Sequence, residues 1–469
     1  MRRLLPLAGI LLLGLMLRLA CSVWVQGEAR RQGGPSARYL FPDSRNFDAF
    51  ARSLLHGEYR DECNRRAWRT PLYALFLAGQ YALLGDSPLV SRWLNNLLDL
   101  ANIGLAYLLA RRLASHRAGL LAALAVALDP FHIYFSSLVL AETMSAAAIM
   151  AAMLCLAALL HTLGAERTWR WAFACGLLLA AAALAKPSLG LLVILVAIYL
   201  LIQCAPSVVW LGTGWLAPRP AIIAAAIAML LAGFALGMAP WWFRNYRVFG
   251  EAVIFSTATG YALYESNSPA ADGGPNHGKI SFPTAWQELQ ADLQAGRAAD
   301  PRTELRLDRM LQQEAWQWMR AHPRDFFALL PIKLARTWSP FLNYAGAQKW
   351  CYQTASACAF LPVIIFAIYT LWHERSRWQE IYFLLLPAIY LSIIHSIFMG
   401  SVRYRFPAMA PLIALAALAI DAIWQQRSKA QSFLRRQDSS LQRECGPYSN
   451  PRGKSIAHID RGANGRRGV

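Results

Sequence analysis

Residues 138–162 read LVLAETMSAAAIMAAMLCLAALLHT, an apolar run whose only acid, Glu142, stands near its start. A helix of about 20 such residues crosses a bilayer. A carboxylate at membrane depth is costly, so Glu142 reads as a functional group at one end of a span. Working outward from this stretch, comparable runs lie at 4–20, 90–110, 118–135, 169–186, 188–204, 221–241, 358–372, 380–398 and 406–424. They predict an all-α polytopic membrane protein with about ten transmembrane helices.

Composition agrees: 56% of the residues are hydrophobic and 16% charged, against the roughly 25% charged of a soluble domain. That excludes an ordinary cytosolic enzyme. The formal charge of +19 would suggest nucleic acid in a soluble chain, but the basic residues lie between apolar runs or near the C-terminus. They read as topology and anionic-lipid contact, and no nucleic-acid partner is expected. Seventeen Trp and 17 Tyr suit two water interfaces. The eight cysteines lack the spacing of a zinc site. Cys155, Cys175 and Cys204 read as small core residues, whereas Cys351 and Cys358 lie close enough in sequence to suggest a local disulfide.

Leu4 to Ala20 follows Arg2 and Arg3 and is interrupted by Arg18, with no small-x-small cleavage site after it. It reads as a retained first span with its N-terminus inside. The positive-inside rule puts Arg111, Arg112 and Arg117, then Arg167 and Arg170, then Arg375 and Arg377, on the side of Arg2 and Arg3, which makes both termini cytoplasmic. The organisation expected is a transmembrane core over 1–243 with a first outer loop at 22–89, an outer-side domain at 244–357, C-terminal spans at 358–424, and a basic tail at 425–469. The tail has ten Lys/Arg against three Asp/Glu and reads as disordered. Pro71 to Leu84 is too short and too interrupted to span comfortably; with Pro at its start it reads as an interfacial helix. Thr303 to Ala321 carries Leu305, Leu307, Met310, Leu311, Ala315, Trp318 and Met319 at helical spacing, a surface helix lying on something.

Chemistry is expected in the two outer segments, Ser22–Thr70 and Arg244 to about Ala357. Asp43, in Phe41-Pro42-Asp43-Ser44, can cap the helix that follows, whose apolar face is Phe47, Phe50, Ala51, Leu54 and Leu55. It can also be a partly desolvated base with a raised pKa. Asp129, before Pro130, reads as a turn or cap. Arg69, before Pro71 and Tyr73, can hold a phosphate with its planar fork or anchor a headgroup. Lys186, in Ala185-Lys186-Pro187, can attract an anion or reach the interface. The inventory of carboxylates at 43, 48 and 142 with cations at 69, 186, 244, 403 and 405 suits an anionic, phosphate-bearing substrate and a nucleophile that must lose a proton.

Four stretches in order resemble the GT-C superfamily of integral-membrane glycosyltransferases, especially bacterial relatives of protein O-mannosyltransferases and lipid A aminoarabinose transferases. They are Pro42 to Gly57 with Arg69 to Tyr73, Leu140-Ala141-Glu142, Pro240 to Gly250, and Arg403-Tyr404-Arg405-Phe406-Pro407, with His322-Pro323 and Lys333 to Pro340 extending the match. The resemblance implies a GT-C-like fold and transfer of a sugar from a polyprenyl-phosphate-linked donor to a lipid, glycan or protein acceptor. The reaction would occur at the outer, periplasmic face of a bacterial cytoplasmic (inner) membrane. It implies Asp43 as general base and Arg69 on the donor phosphate, with Glu142 as a second acidic position. Asp43, Asp48 and Glu142 are thus the catalytic candidates, and Arg69, Tyr73, Lys186, Arg244, Arg403 and Arg405 the substrate-binding ones. No cofactor is fixed, and a divalent metal stays open. Trp68 stands where the aminoarabinose-type enzymes place a metal-binding Glu, and Phe47 where many relatives have Tyr.

The competing function is a lipid or solute transporter or flippase without transfer chemistry, for which ionisable residues would line a path near mid-membrane. The charges noted above gather at span ends, which favours surface chemistry.

Overall fold

A computed structural model describes residues 5–32, 38–165, 167–203, 220–275, 280–297, 300–343 and 349–444. Its helices are α1 (Leu5–Gln32), α2 (Pro42–Leu55), α3 (Pro71–Leu84), α4 (Pro88–Leu113), α5 (His116–Leu128), α6 (Pro130–Ser136), α7 (Glu142–His161), α8 (Thr168–Ala185) and α9 (Leu192–Ile202). There follow α10 (Pro220–Phe249), α11 (Thr259–Ser266), α12 (Thr284–Gln294), α13 (Arg302–Ala321), α14 (Pro323–Thr337), α15 (Trp350–His373), α16 (Trp378–Ile381), α17 (Leu386–Ile397) and α18 (Phe406–Glu444). No strand occurs among the described residues.

Seven of the described helices are long and apolar enough to cross a membrane, or eight if α5 and α6, bent by 57° at their junction, form one span. The ten expected runs include two more: the short apolar segment Pro187–Ile202, and α4, which is too polar to qualify. The polar residues of α4 are buried at Ser91, Arg92, Asn95, Asn96, Asp99 and Asn102. This seam faces protein, where each group can find a partner.

Asp99 shows how. It accepts from Arg18 Nε at 2.7 Å and pairs with His132 Nδ1 at 2.8 Å, all three side chains being fully buried. Arg18 also donates to the carbonyls of Val126 and Ala127, which lie in the last turn of α5 just before the chain breaks at Asp129. Those carbonyls have no helical partner, and the guanidinium supplies one. Arg18 therefore pins α1 to α4 and α5 rather than merely interrupting the first apolar run. Charge does sit at mid-helix, but it is neutralised by pairing. Asp129 caps α6 by accepting from His132 N at 2.9 Å.

The transmembrane core is built by packing α8 against α7 and α10, and α4 against α5 and α7. At α8/α10 the contact needs glycine on both sides: a Cβ on Gly176 would stand 2.0 Å from the Leu230 carbonyl oxygen, and one on Gly233 would stand 2.2 Å from that of Phe173. Small residues here permit backbone approach, which drives helix association where no hydrophobic gain is available. Two of the basic turns expected on one side do meet, because Arg377 donates to the Leu113 carbonyl at 2.9 Å.

On the other side, α3 occupies the expected stretch, with Pro71 in its first turn and Gly85 at φ 78° after its last. Helix α13 buries Leu305, Leu307, Leu311, Ala315 and Met319 and lies on α11. Cys351 and Cys358 are both free and exposed. Seven residues apart on α15, their Cα atoms are about 10 Å apart, too far for a disulfide, which settles against the bridge that the sequence left open. The chain forms two compact units, Met1–Asp421 and Ala422–Val469. Within the second, α18 continues to Glu444, so the expected disordered tail is helical over 425–444. Residues 445–469, with Cys445, and also Cys204, lie outside the described residues.

Replacing Arg18 by Leu leaves Asp99 buried without its cation, at a cost of about 3–5 kcal/mol. The expected outcome is a large fall in thermal midpoint in detergent, with most of the loss recovered in the Arg18→Leu/Asp99→Leu double variant. A single variant that unfolds with the wild type would show the pair to be dispensable.

Candidate active site

Five helix ends or loops converge on one cluster of charge. Asp43 lies in the first turn of α2, Glu142 opens α7, Lys186 follows the last residue of α8, Arg69 precedes α3, and Arg403 lies in the loop before α18. Each helix-borne charge sits at the end whose dipole favours it, carboxylates at N-termini and the lysine at a C-terminus. Arg69 Nη2 donates to Asp43 Oδ1 at 2.5 Å, and Arg403 Nη1 to Asp43 Oδ2 at 2.7 Å. Arg403 Nε donates to Glu142 Oε1 at 2.5 Å, and Lys186 Nζ lies 3.4 Å from the same oxygen. One guanidinium thus bridges both carboxylates.

The two acids are not equivalent. The Asp43 side chain is 29% exposed and that of Glu142 only 2%. Three cations against two carboxylates leave the cluster with one positive charge in excess. Arg69 has a further free donor, since its Nε is buried with no partner. Asn46, one turn after Asp43, touches Arg69 through Oδ1 at 3.4 Å, and Tyr404 lies under Lys186 with its ring centroid 5.2 Å from Nζ.

Burial pushes the Asp43 carboxyl up, but the Arg69 and Arg403 guanidiniums outweigh it and hold the group well below the usual carboxylate range. The expected upward shift is therefore not found in this state. Nor is Asp43 a helix cap: the N-cap position is Phe41, which makes no side-chain cap bond.

The other candidates lie apart from the cluster's contacts. Asp48 accepts from Tyr39 at 2.9 Å, Tyr81 at 2.7 Å and Arg52 at 2.9 Å. Tyr73 is fully buried, accepts from Asn95 at 2.8 Å and meets the Phe47 ring edge-on at 4.9 Å, so it supports α2 from below. Arg405, almost completely buried, donates to the Ser339 carbonyl at 2.5 Å and stacks 3.8 Å over Phe360. Arg244 donates to the carbonyls of Arg66 at 2.7 Å and Tyr59 at 3.2 Å.

Glu304, not among the sequence candidates, acts with Arg244. It accepts from the backbone N–H groups of Arg66 at 2.5 Å and Ala67 at 3.0 Å, and from the Thr257 hydroxyl. The segment leading to Arg69 is thus held from both sides, which fixes where its guanidinium emerges. A pocket next to this segment is lined by Arg65, Trp68, Tyr261, Trp286, Glu304 and Asp308 among others. Asp308 accepts from Gly260 N and Gln312.

Among the described residues no three His, Cys, Asp or Glu side chains cluster to hold a metal ion. A guanidinium already occupies the position between Asp43 and Glu142, and Trp68 stacks on Arg65 at 3.8 Å.

Fold and site together define a polytopic helical membrane protein with a cationic, carboxylate-bearing site at the ends of its helices. Residues 68–232 match the family described as dolichyl-phosphate-mannose-protein mannosyltransferase. No curated protein matches the sequence. Among solved structures, the Archaeoglobus fulgidus oligosaccharyltransferase in complex with zinc and sulfate superposes with a TM-score of 0.55 at 14% identity, covering 90% of this chain and 50% of that one. The oligosaccharyltransferase AglB from the same archaeon, in complex with an inhibitory peptide and a dolichol-phosphate, gives 0.53 at 13% identity, covering 91% and 51%. ArnT from Cupriavidus metallidurans bound to undecaprenyl phosphate gives 0.33 at 17% identity, covering 89% and 79%. The chain spans about half the length of the archaeal enzymes it matches. Its fold is that of the part of these archaeal oligosaccharyltransferases that it covers.

Burial pushes Asp308 from 3.8 to about 7. An acid whose folded pKa is raised stabilises the fold when protonated, so its contribution declines from about pH 4 to pH 7 and levels off above. The expected outcome is that Asp308→Asn gains thermal midpoint relative to wild type between pH 4.5 and 7.5. A gap that does not change with pH would contradict it.

Proposed function

We propose that the protein is a glycosyltransferase that moves a sugar from a polyprenyl-phosphate-linked donor to a lipid, glycan or protein acceptor. In this reading it works at the outer face of a bacterial inner membrane, by direct displacement with inversion. The observation that carries the reading is the Arg69–Asp43–Arg403–Glu142–Lys186 cluster, with its excess positive charge and its one exposed carboxylate. The family match over residues 68–232 supports it.

The chemistry follows from the groups present. An acceptor hydroxyl or amine attacks the anomeric carbon and gives its proton to Asp43. The bond from that carbon to the phosphate oxygen breaks, and its electron pair leaves on the polyprenyl phosphate. Charge develops on the phosphate oxygens, where Arg69 and Arg403 can meet it as preorganised donors. A phosphate is a competent leaving group, so no general acid is required. Glu142, buried beside Lys186, holds Arg403 in place rather than receiving the proton. Loss of one such preorganised contact costs about 3 kcal/mol in the barrier.

The test is transfer from synthetic polyprenyl-phosphate sugars by the full chain in nanodiscs, read by mass spectrometry of lipid, glycan and protein products. Asp43→Asn is expected to lower turnover by at least about 100-fold in folded protein, and wild-type turnover would remove Asp43 as the base. Arg69→Ala is expected to raise the KM for donor more than for acceptor. Equal effects on both would count against its phosphate role.

A further inference from the structure

We propose that the donor phosphate and Asp43 compete for the same two guanidiniums, so that donor binding is the event that frees the base. The idea rests on the reading of the cluster as the donor-phosphate site. Both Asp43 oxygens are taken, Oδ1 by Arg69 and Oδ2 by Arg403. A carboxylate with both oxygens engaged by guanidiniums is a poor proton acceptor. The N–H groups that point at it, Arg69 Nη2 and Arg403 Nη1, are also those that an incoming phosphodiester would use.

The two arginines can change partner without losing their places. Arg403 keeps Glu142 through Nε, and Arg69 keeps its contact with Asn46 Oδ1 and its place over the Phe47 ring. Among the described residues Asp43 makes ion pairs with these two arginines; the other titratable groups facing it are Glu142 across Arg403, Lys186 beyond Glu142, and the hydroxyls of Tyr261 and Tyr404. Once the phosphate takes over those N–H groups, Asp43 loses its two hydrogen bonds, and burial, the neighbouring Glu142 and the phosphate charge raise its proton affinity. The acceptor therefore meets an active base only when donor is already in place, which orders the reaction donor first. Arg403 is the coupling residue, because its fork spans the group that is released and the group that stays.

The experiment measures binding of a non-transferable polyprenyl methyl phosphodiester, whose charge is constant over the working pH range, to the full chain in nanodiscs. Asp43→Asn removes the competitor and is expected to bind this probe at least about tenfold more tightly than wild type, while losing transfer. In the wild type, calorimetry at about pH 5.5 in buffers of different ionisation heat is expected to show proton uptake on binding, and Asp43→Asn is expected to show none. Equal or weaker binding by a folded Asp43→Asn variant overturns the proposal while leaving the transferase reading intact. Should that variant fail to fold, the wild-type proton uptake decides, and its absence overturns the coupling. Failure of the probe to bind either protein overturns both the coupling and the donor reading.

Discussion

Two carboxylates brought together at the edge of a low-dielectric body repel unless a cation lies between them, and here that cation is the Arg403 guanidinium, hydrogen-bonded to Asp43 and Glu142 at once. A lysine could not do the same, because a single ammonium lacks the planar fork that serves two acceptors in fixed directions. The bridge also explains the convergence of elements far apart in sequence. The first turn of α2, the start of α7 and the loop before α18 each contribute one member, and the remaining two cations arrive from the end of α8 and the approach to α3.

Around this bridge the protein is organised to keep the participants still. Arg244 and Glu304 fasten the segment before Arg69 through its backbone, leaving the Arg69 side chain free to face the cluster. Tyr73 and Asn95 set the floor under Phe47, over whose ring the Arg69 guanidinium lies at 5.4 Å. Deeper in the transmembrane core, Arg18 and Asp99 join α1 to α4 and satisfy the carbonyls exposed at the end of α5. The same rule operates at both depths: a buried charge is retained only with its partners, and those partners fix the relation between helices.

The members of the cluster were legible in the sequence for a simple reason. Glu142, Lys186 and Arg403 are charges at the margins of long apolar runs, where an unpaired charge is expensive, and Asp43 and Arg69 flank proline-started helices that their neighbours mark clearly. Tyr73, Asp48, Arg244 and Arg405 carry equally suggestive chemistry but have their hydrogen bonds outside the cluster. Direction is what sequence could not supply: Arg405 lies two residues from Arg403, yet it stacks on Phe360 while Arg403 reaches Asp43. Long-range pairs were equally invisible, since nothing local in Arg18 or Glu304 announces Asp99 or the backbone of Arg66. Residues 90–110 read as a span by apolar length alone, and only packing reveals that the polar residues of α4 point inward.

The unequal exposure of the two acids is what favours Asp43 over Glu142 as the base in the proposed reaction. If Glu142 were the base, its proton would have to leave a side chain almost wholly enclosed and shared by Lys186 and Arg403, and an acceptor would have to displace both. Asp43 needs no such rearrangement of the core, because nearly a third of it already faces outward and its partners are side chains with other contacts to use. Differences in environment divide a carboxylate pair into one group that reacts and one that positions. In the proposed mechanism Glu142 belongs with the scaffold: it anchors the Arg403 guanidinium that also holds Asp43.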